Sequence, residues 1–184
     1  MLAVRPLAIP DVKIVEPRRF GDNRGYFSET FKAAAFEEAG IQGPFVQDNQ
    51  SHSAAAGTLR GLHLQSPPFA QAKLVRVLRG AIFDVAVDVR TGSPTYGRHV
   101  SAVLSADNFA QIYVPAGFLH GFLTLEADCT VLYKVSAYYD RASEGGVTWD
   151  DADLAIDWPL PDSGVVLSDK DGALPRFRDF RSPF

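Results

Sequence analysis

The sequence predicts an all-β protein, an antiparallel β-sandwich or jelly-roll barrel with little helix. Two observations predict this fold. Short runs rich in Val, Ile, Phe and Tyr recur along the chain, and its 15 glycines and 12 prolines are spread between them as turn residues. Within residues 82–89, apolar residues alternate with a set that includes Asp84 and Asp88, which is the two-residue period of a strand.

The clearest strand-forming runs cover residues 73–89, 111–125 and 129–139. Each run is rich in residues that favour strands and is expected to form one strand or a hairpin. In the alternating stretch, one face should meet the core and the other should meet solvent or a cavity. We interpret Asp84 and Asp88 as part of a solvated face.

Only one segment, residues 30–40 ("TFKAAAFEEAG"), is expected to form a helix. Thr30 or Ser28 can cap its start, and Gly40 can end it. Residues 157–184 are rich in proline and irregular, so we expect them to lie over the outside of the protein. Helices are therefore expected to be short and peripheral.

The chain of 184 residues is long enough to bury a sizeable core, and we expect a single domain over residues 1–184. Its net charge of -4 gives no reason to expect a nucleic-acid partner. The apolar N-terminal run is broken by Arg5, Pro6 and Pro10, so neither a signal segment nor a membrane partner is expected. The single cysteine, Cys129, fits a reducing compartment, which indicates a cytoplasmic protein.

Arg60, His63 and Gln65 place strong hydrogen-bonding groups in an otherwise apolar strand, "GTLRGLHLQ". Strict alternation puts His63 and Gln65 on one face of this strand and Arg60 on the other. Arg60 can join His63 only if Gly61 carries a β-bulge or if the regular strand starts after it. The sequence is compatible with both arrangements.

Three further polar side chains, Lys73, His120 and Tyr133, lie on strand faces that are largely apolar. Taken singly, each is more often structural: a lysine that reaches solvent, a satisfied histidine or a packing tyrosine. Together with His63 they would be costly to bury without a purpose, because buried polar groups need partners. The combination predicts a polar cavity inside the barrel.

A divalent metal is the other use that small β-barrels make of histidines. Such sites often contain a His-x-His pair, but His63 is followed by Leu64 and Gln65. No other histidine has a His or Cys at ligand spacing. We therefore expect no catalytic metal, although ligands from separate strands could still converge.

Seven sequence blocks, in order along nearly the whole chain, are similar to those of one known family. The blocks are "IPDVKIVEPRRFGDNRGYFSETF", "FVQDNQSHS", "LRGLHLQ", "KLVRVLRGAIFDVAVDVRTGSPTYG", "VPAGFLHGF", "LYKVSAYYDRASEGGVTWDD" and "LSDKD". The chain resembles the dTDP-4-dehydrorhamnose 3,5-epimerases, also called dTDP-4-keto-6-deoxyglucose 3,5-epimerases, of the cupin fold. The resemblance implies a homodimeric jelly roll that binds a dTDP-sugar and uses neither a metal nor a redox cofactor. It also implies that the N-terminal segment reaches the partner subunit's site.

The family's reaction explains why these residue types are needed. C3 and C5 of a 4-keto-6-deoxyhexose both lie beside the carbonyl, so removing either proton gives an enolate, and reprotonation from the opposite face inverts the centre. By resemblance His63 is the base, Lys73 holds the C4 oxygen as negative charge develops, and Tyr133 is the acid on the far side. The histidine pairs with an aspartate that matches Asp171, with Asp169 as the alternative.

The resemblance also implies a set of nucleotide and sugar contacts. These positions are Arg24, Phe27, Glu29, Gln47, Asn49, Arg60, His120, Glu144 and Lys170. Tyr139 matches the aromatic residue that stacks on the thymine ring. Arginine suits phosphate oxygens because a guanidinium can bind them in a bidentate way.

We therefore expect inversion of C3 and C5 to give dTDP-4-keto-L-rhamnose in dTDP-L-rhamnose biosynthesis. One rival is an enzyme of the same superfamily that inverts only C3 or only C5, because it needs the same base and enolate stabiliser. Another is a barrel that only senses a nucleotide sugar. The presence of His63, Lys73 and Tyr133 argues against a pure binder, which needs none of the three.

Overall fold

The computed structural model describes residues 2–184 and consists mainly of strands. The strands are β1 (Ala3–Pro6), β2 (Lys13–Glu16), β3 (Phe20–Asp22), β4 (Gly25–Phe27), β5 (Gln47–Ser53), β6 (Leu59–Gln65), β7 (Lys73–Arg79), β8 (Ala81–Asp88), β9 (His99–Ser105), β10 (Gln111–Val114), β11 (Phe118–Thr124), β12 (Cys129–Val135) and β13 (Glu144–Gly146). The helices are α1 (Ala33–Glu38) and α2 (Asp169–Gly172), with a 3-10 turn at Phe177–Asp179. The prediction of an all-β protein with short helices is confirmed.

Two sheets form the body, and the strand pairs within both are antiparallel. The six-stranded sheet has the order β1-β2-β10-β7-β12-β5, and the five-stranded sheet has the order β13-β6-β11-β8-β9. A separate hairpin, β3-β4, belongs to neither sheet. Many neighbouring strands are distant in sequence, so the chain crosses repeatedly between the sheets, as in a jelly roll.

Two of the three strand-forming runs pass from one sheet to the other. Residues 73–89 form β7 in the six-stranded sheet and β8 in the five-stranded sheet, with Gly80 at φ 79° between them. Residues 111–125 form β10 and β11 in the same manner. Both alternatives, one strand or a hairpin, are therefore wrong for these two runs, whereas residues 129–139 contain the single strand β12, as expected. Because the chain alternates between sheets, one short run can supply residues to both walls of the interior.

The inner faces of the two sheets pack against each other. Val75 and Ile112 of the six-stranded sheet share one buried cluster with Ile82, Phe118 and Phe122 of the five-stranded sheet. Burial of such side chains stabilises the fold by about 25 cal/mol per Å² of apolar surface removed from water. This apolar cluster borders the polar part of the interior, since Phe122 belongs to the cluster and also lines the cavity described below.

Residues 157–184 cover the outer face of the five-stranded sheet, as predicted. Trp158 and Phe180 of this segment pack in a cluster with Leu62 of β6 and Val85 of β8. Both faces of β8 are therefore covered, one by the segment and one by the opposite sheet.

The helix α1 is shorter than expected because the backbone is extended at Lys32. Neither Thr30 nor Ser28 caps it, since its N-cap has no side-chain hydrogen bond. Gly40, at φ 72°, lies just beyond its last turn, as predicted. Among residues 2–184, no helix is long and apolar enough to cross a membrane.

Candidate functional site

A cavity of about 310 Å³ lies in the interior and is lined from both sheets. Strands β5, β7 and β12 contribute from the six-stranded sheet, β6, β11 and β13 from the five-stranded sheet, and α2 with its N-cap Ser168 adds the remainder. The lining residues are Ser51, Arg60, His63, Lys73, His120, Phe122, Tyr133, Glu144, Ser168, Lys170 and Asp171. The structure thus brings together His63, Lys73, His120 and Tyr133, which come from four different strands.

Arg60 and His63 both line this cavity because β6 carries a bulge. In the pairing of β6 with β11, His63 lies opposite His120 and Arg60 lies opposite Phe122, so three steps on β6 match two on β11. Gly61 in the bulge has φ 118°, and a Cβ there would come within 2.7 Å of the His120 carbonyl oxygen. A glycine is required at this position, and strict alternation fails across it.

The His63 ring is held by a carboxylate from the C-terminal segment. Nε2 of His63 lies 2.5 Å from Oδ1 of the buried Asp171, whereas Asp169 is exposed. The Ser168 side chain caps α2 by accepting a hydrogen bond from the Asp171 backbone N–H at 3.1 Å, which fixes where this carboxylate lies. Burial raises the pKa of Asp171, but the bond to His63 and the imidazole charge outweigh it, so the pKa lies below its usual value. The charged aspartate holds a proton on Nε2 and leaves the second ring nitrogen to act as a base.

Lys73 opens β7 and is half-buried, with Nζ donating to the His63 carbonyl oxygen at 3.4 Å. Burial lowers the pKa of its ammonium group to about 8, and the negative charges of Asp84 and Glu144 oppose this effect. The group therefore remains mostly charged at neutral pH. A partly desolvated cation in the cavity can stabilise an oxyanion more strongly than a cation in water.

The His120 ring is held inside the five-stranded sheet by Asp84. Its Nε2 lies 3.0 and 2.9 Å from the two carboxylate oxygens of Asp84, which is fully buried.

Asp88 is also fully buried and accepts hydrogen bonds from Arg90, Ser93 and Thr95. Assigning these aspartates to a solvated face was therefore wrong. Strand alternation indicates which residues share a face of β8. It does not indicate whether the face with Asp84 and Asp88 meets solvent or polar partners inside the protein.

Tyr133 approaches the cavity from β12, in the sheet opposite His63. Burial raises the pKa of its hydroxyl, and interactions with Arg60 and Asn49 only partly offset this. The hydroxyl therefore stays protonated at neutral pH and can donate a proton. A base on one sheet and an acid on the other can address opposite faces of a molecule bound between them.

Glu144 connects the cavity to its rim. Its carboxylate pairs with Lys170 and accepts a hydrogen bond from the Tyr139 hydroxyl at 2.9 Å. Burial raises the pKa of Glu144, but these two partners outweigh it and hold the pKa below its usual value. The Tyr139 backbone N–H donates to Gln47 at 3.1 Å, and Gln47 donates to Asn49 at 2.8 Å. The predicted binding residues of this region are thus linked, and the ring of Tyr139 is 55% exposed and free to stack on a ligand.

A family model described as dTDP-4-dehydrorhamnose 3,5-epimerase matches residues 6–179. The chain belongs to this epimerase family. It is 56% identical to the dTDP-4-dehydrorhamnose 3,5-epimerase of Sinorhizobium fredii over 92% of this chain and 86% of that protein. These matches confirm both the resemblance and the identification of the chain as an epimerase.

Solved structures confirm the cupin-type jelly roll. The 3,5-epimerase of Legionella pneumophila, solved with dTDP-4-keto-L-rhamnose, superposes with a TM-score of 0.94 at 46% identity, covering 98% of this chain and 95% of that one. A 3'-monoepimerase from Streptomyces bikiniensis, solved with dTDP-quinovose, superposes at 0.86 with 39% identity, covering 94% and 86%. Relatives of both specificities therefore share the fold.

Six of the positions that match binding residues of the epimerase family do not line the cavity. Gln47, Asn49 and Tyr139 are linked to its lining residue Glu144, as described above, and the other three come from the N-terminal part of the chain. Arg24 and Phe27 lie on the β3-β4 hairpin and Glu29 just after it, and all three are exposed. The Arg24 guanidinium pairs with Asp22 at 2.5 Å, and the Phe27 ring is 67% exposed. Within one chain these residues do not complete the site.

The expectation that Gln65 faces the same space as His63 is wrong, because Gln65 does not line the cavity. Its amide donates to the carbonyl oxygens of Phe69 and Tyr138 and accepts from the Asp140 N–H, so it holds two loops together.

Within residues 2–184, no group of three or more His, Cys, Asp or Glu side chains is arranged to hold a metal ion.

Proposed function

We propose that the chain inverts C3 and C5 of dTDP-4-keto-6-deoxy-D-glucose to give dTDP-4-keto-L-rhamnose, and that His63, Lys73 and Tyr133 perform the chemistry. The observation that carries the assignment of roles is the position of the His63–Asp171 pair and of Tyr133 on opposite sheets around one cavity. Inversion requires a base on one face of the sugar and an acid on the other.

The proposed epimerisation needs only the substrate, the side chains of the cavity and water. His63 accepts the proton from C3 or C5, and the electron pair of the broken C–H bond moves toward the C4 oxygen to form an enolate. The ammonium group of Lys73 stabilises the negative oxygen. Tyr133 then donates its proton to the same carbon from the opposite face, the carbonyl re-forms, and solvent restores the protonation states of His63 and Tyr133.

The nucleotide end of the substrate is assigned to the rim of the cavity. The Nη2 atom of Arg60 donates to the His52 carbonyl oxygen at 3.1 Å, while its buried Nε has no hydrogen-bond partner among residues 2–184. A buried N–H donor without a partner is costly, and a phosphate oxygen would satisfy it. Tyr139 then offers the exposed ring that a thymine base can stack on.

The assembly that completes the site is a homodimer. The exposed β3-β4 hairpin carries Arg24 and Phe27 away from this chain's own cavity. Its aromatic side chains Phe20 and Tyr26 are 47% and 57% exposed, and exposed aromatic groups suit a protein interface. In the proposed dimer, the hairpin of each subunit reaches the partner's cavity and supplies Arg24 to the diphosphate.

Subunit mixing tests this assembly. The variants Arg24→Glu and His63→Ala should each be nearly inactive, because one places a carboxylate beside the diphosphate and the other lacks the base. In a mixed dimer, one cavity receives the intact His63 and the intact Arg24, so exchange of subunits should restore about a quarter of wild-type activity per subunit. A mixture of His63→Ala with Lys73→Ala is the matched control, since both groups lie in the same cavity and no restoration is expected. Absence of restoration in the first mixture contradicts the shared site.

A second candidate function is epimerisation at one centre only, which is favoured by the likeness to the 3'-monoepimerase. The experiment that separates the two is proton NMR of dTDP-4-keto-6-deoxyglucose with the purified protein in deuterated water. Deuterium should enter at both C3 and C5, and a 4-keto reductase should convert the product to dTDP-L-rhamnose. Exchange at a single carbon supports the monoepimerase, and binding without exchange supports a sensor.

Catalysis without a metal or redox cofactor, a single domain over residues 1–184, the absence of nucleic-acid and membrane partners and a cytoplasmic location remain predictions. The first is tested by exhaustive treatment with EDTA, which should leave the exchange rates unchanged. Loss of exchange that one added metal restores would contradict it.

A further inference from the structure

Asp84 is a charged group without an assigned role in the reaction, although it is fully buried beside the cavity. It lies on the inward face of β8, where it is opposite Phe122 of β11. Its two carboxylate oxygens both contact Nε2 of His120, at 3.0 and 2.9 Å. A buried carboxylate is costly, so its retention calls for a compensating function or partner.

His120 alone does not account for the whole effect of this carboxylate. A neutral histidine ring can be oriented by a neutral acceptor such as an amide, so orientation does not require a full negative charge. The charge also acts on Lys73, for which Asp84 is the largest stabilising influence on the protonated form. We propose that Asp84 is a positioning residue that fixes the His120 ring in the cavity wall and keeps Lys73 charged for the reaction.

Other charged and titratable groups face Lys73 and must be weighed against Asp84. They are Arg60 and His63 on β6, His120 on β11, Tyr133 on β12, Glu144 on β13, and Lys170 and Asp171 on α2. The Glu144 carboxylate is already paired with Lys170, and the Asp171 carboxylate with His63. Asp84 differs from both because its only side-chain hydrogen-bond partner among residues 2–184 is His120. Its negative charge is therefore the one that is least neutralised by a cation.

Removing the negative charge of Asp84 should lower the pKa of Lys73. Burial already lowers the pKa of Lys73 to about 8, and loss of the nearby negative charge lowers it further. The protonated fraction of Lys73 at pH 7 then falls from about nine tenths to about one half if the shift is about one unit. Because the enolate needs the ammonium group, the alkaline limb of the kcat profile moves to lower pH.

Lysine-selective ¹³C labelling and NMR measure this effect without reference to turnover. The chain has only five lysines, and the Lys73 signal is assigned by its absence in Lys73→Met. In the wild-type protein its midpoint should lie near pH 8. In Asp84→Asn, which keeps a hydrogen-bond acceptor for His120 but removes the charge, the midpoint should fall by about one unit or more. An unchanged midpoint in Asp84→Asn overturns the inference.

Asp88→Asn is the matched control, because Asp88 lies on the same face of the same strand and is equally buried but contacts Arg90, Ser93 and Thr95 instead. Its Lys73 midpoint should match that of the wild-type protein, and an equal fall in both variants overturns the inference in favour of general loosening. If Asp84→Asn does not fold, Asp84→Asn combined with His120→Gln gives the amide a neutral partner, and the same fall is expected there.

Kinetics supply the second readout. In Asp84→Asn, kcat at pH 8 should fall about fivefold for a shift of one unit, with a smaller change in KM, because the lost charge acts on the enolate and less on binding. Asp84→Glu should restore the position of the alkaline limb, since it restores the charge. The inference rests on the proposed function only for these kinetics. Absence of C3 and C5 exchange in the wild-type protein would contradict the proposed function, while the Lys73 titration would still decide the role of Asp84.

Discussion

Two histidine–aspartate pairs face one cavity, and they are built differently. The His63 side chain is 25% exposed, and its partner Asp171 comes from the short α2 in the C-terminal segment. The His120 side chain is 8% exposed, and its partner Asp84 lies on the adjacent strand with no exposed surface. The first pair uses one carboxylate oxygen at 2.5 Å, and the second uses both oxygens near 3 Å.

The difference is consistent with two separate roles for the same two residue types, a base and a fixed part of the cavity wall. A base must meet its substrate and return its proton to solvent, so partial exposure suits His63. A buried pair between neighbouring strands, with both carboxylate oxygens on one ring nitrogen, suits His120 as a fixed part of the cavity wall. We therefore expect removal of His63 to abolish proton transfer and removal of His120 to weaken substrate positioning.

The largest effect should come from His63→Ala. This change removes the proposed base and should lower kcat by about 10²–10⁴-fold without unfolding the protein. Turnover is measured with a coupled reductase, and folding by circular dichroism. His52→Ala is the control, because His52 is a half-exposed histidine outside the cavity and should keep full activity. Wild-type turnover in His63→Ala would remove the distinction between the two pairs.

Asp171→Asn should have the next largest effect. The amide oxygen can still accept a hydrogen bond from Nε2 of His63, but without a negative charge it does not stabilise the imidazolium that forms when the ring takes up a second proton. The lost charge-assisted hydrogen bond, worth about 1.5–3 kcal/mol, corresponds to a decrease in kcat of about 10- to 100-fold. Asp169→Asn is a matched change in an exposed neighbour and should leave kcat unchanged. If the two variants behave alike, Asp171 does not act through His63.

His120→Gln should have a smaller effect that falls mainly on KM. Glutamine can still donate to Asp84, so the cavity keeps a buried donor while the ring is lost. A neutral hydrogen bond of about 0.5–1.5 kcal/mol corresponds to a change of about 2- to 10-fold. Steady-state kinetics separate KM from kcat. A decrease in kcat as large as that of His63→Ala would mean that the buried pair also transfers protons.

Asp88→Asn should change stability and leave catalysis almost unaffected, which extends the comparison to a third buried carboxylate. Burial acts to raise the pKa of Asp88, but hydrogen bonds from Arg90, Ser93 and Thr95 outweigh it and hold the pKa well below its usual value. A carboxylate with a depressed folded-state pKa stabilises the protein above its ordinary pKa of about 3.9, and this stabilisation is lost as the pH falls through the folded value.

Thermal unfolding measured from pH 7 to pH 2 checks this prediction. Asp88→Asn should lower Tm at pH 7, and its Tm should fall less steeply than that of the wild-type protein below pH 4. Parallel curves for the two proteins would contradict the stabilising role of the Asp88 charge.

Much of the fold could be predicted from the sequence because strand periods and turn residues are local signals. The alternation in β8 and the runs that became β7, β10, β11 and β12 follow from them. Which strands pair is a property of the whole chain, so the passage of residues 73–89 from one sheet to the other could not be predicted from the run itself. The start of α1 was missed for a related reason, since the backbone at Lys32 is extended although the sequence favours helix.

The candidate site also contains residues that local sequence signals predict and residues whose positions depend on the whole fold. Lys73, His120 and Tyr133 could be placed in a cavity because each interrupts an apolar strand face. Arg60 required knowledge of the bulge at Gly61, where two β-strands approach so closely that a side chain does not fit. The signal that could have identified Asp84 was that both faces of β8 had to be covered, one by the opposite sheet and one by residues 157–184. The pairing of Asp171 with His63 joins residues 108 positions apart, and only the family resemblance indicated it.

The most direct test of the different roles of the two pairs is the rate at which deuterium enters C3 and C5 of the substrate in His63→Ala and in His120→Gln, measured by proton NMR at saturating substrate. We predict that exchange at both carbons is lost in His63→Ala and continues within about tenfold of the wild-type rate in His120→Gln. Exchange that survives in His63→Ala and is lost in His120→Gln would contradict it and would make the buried pair the base.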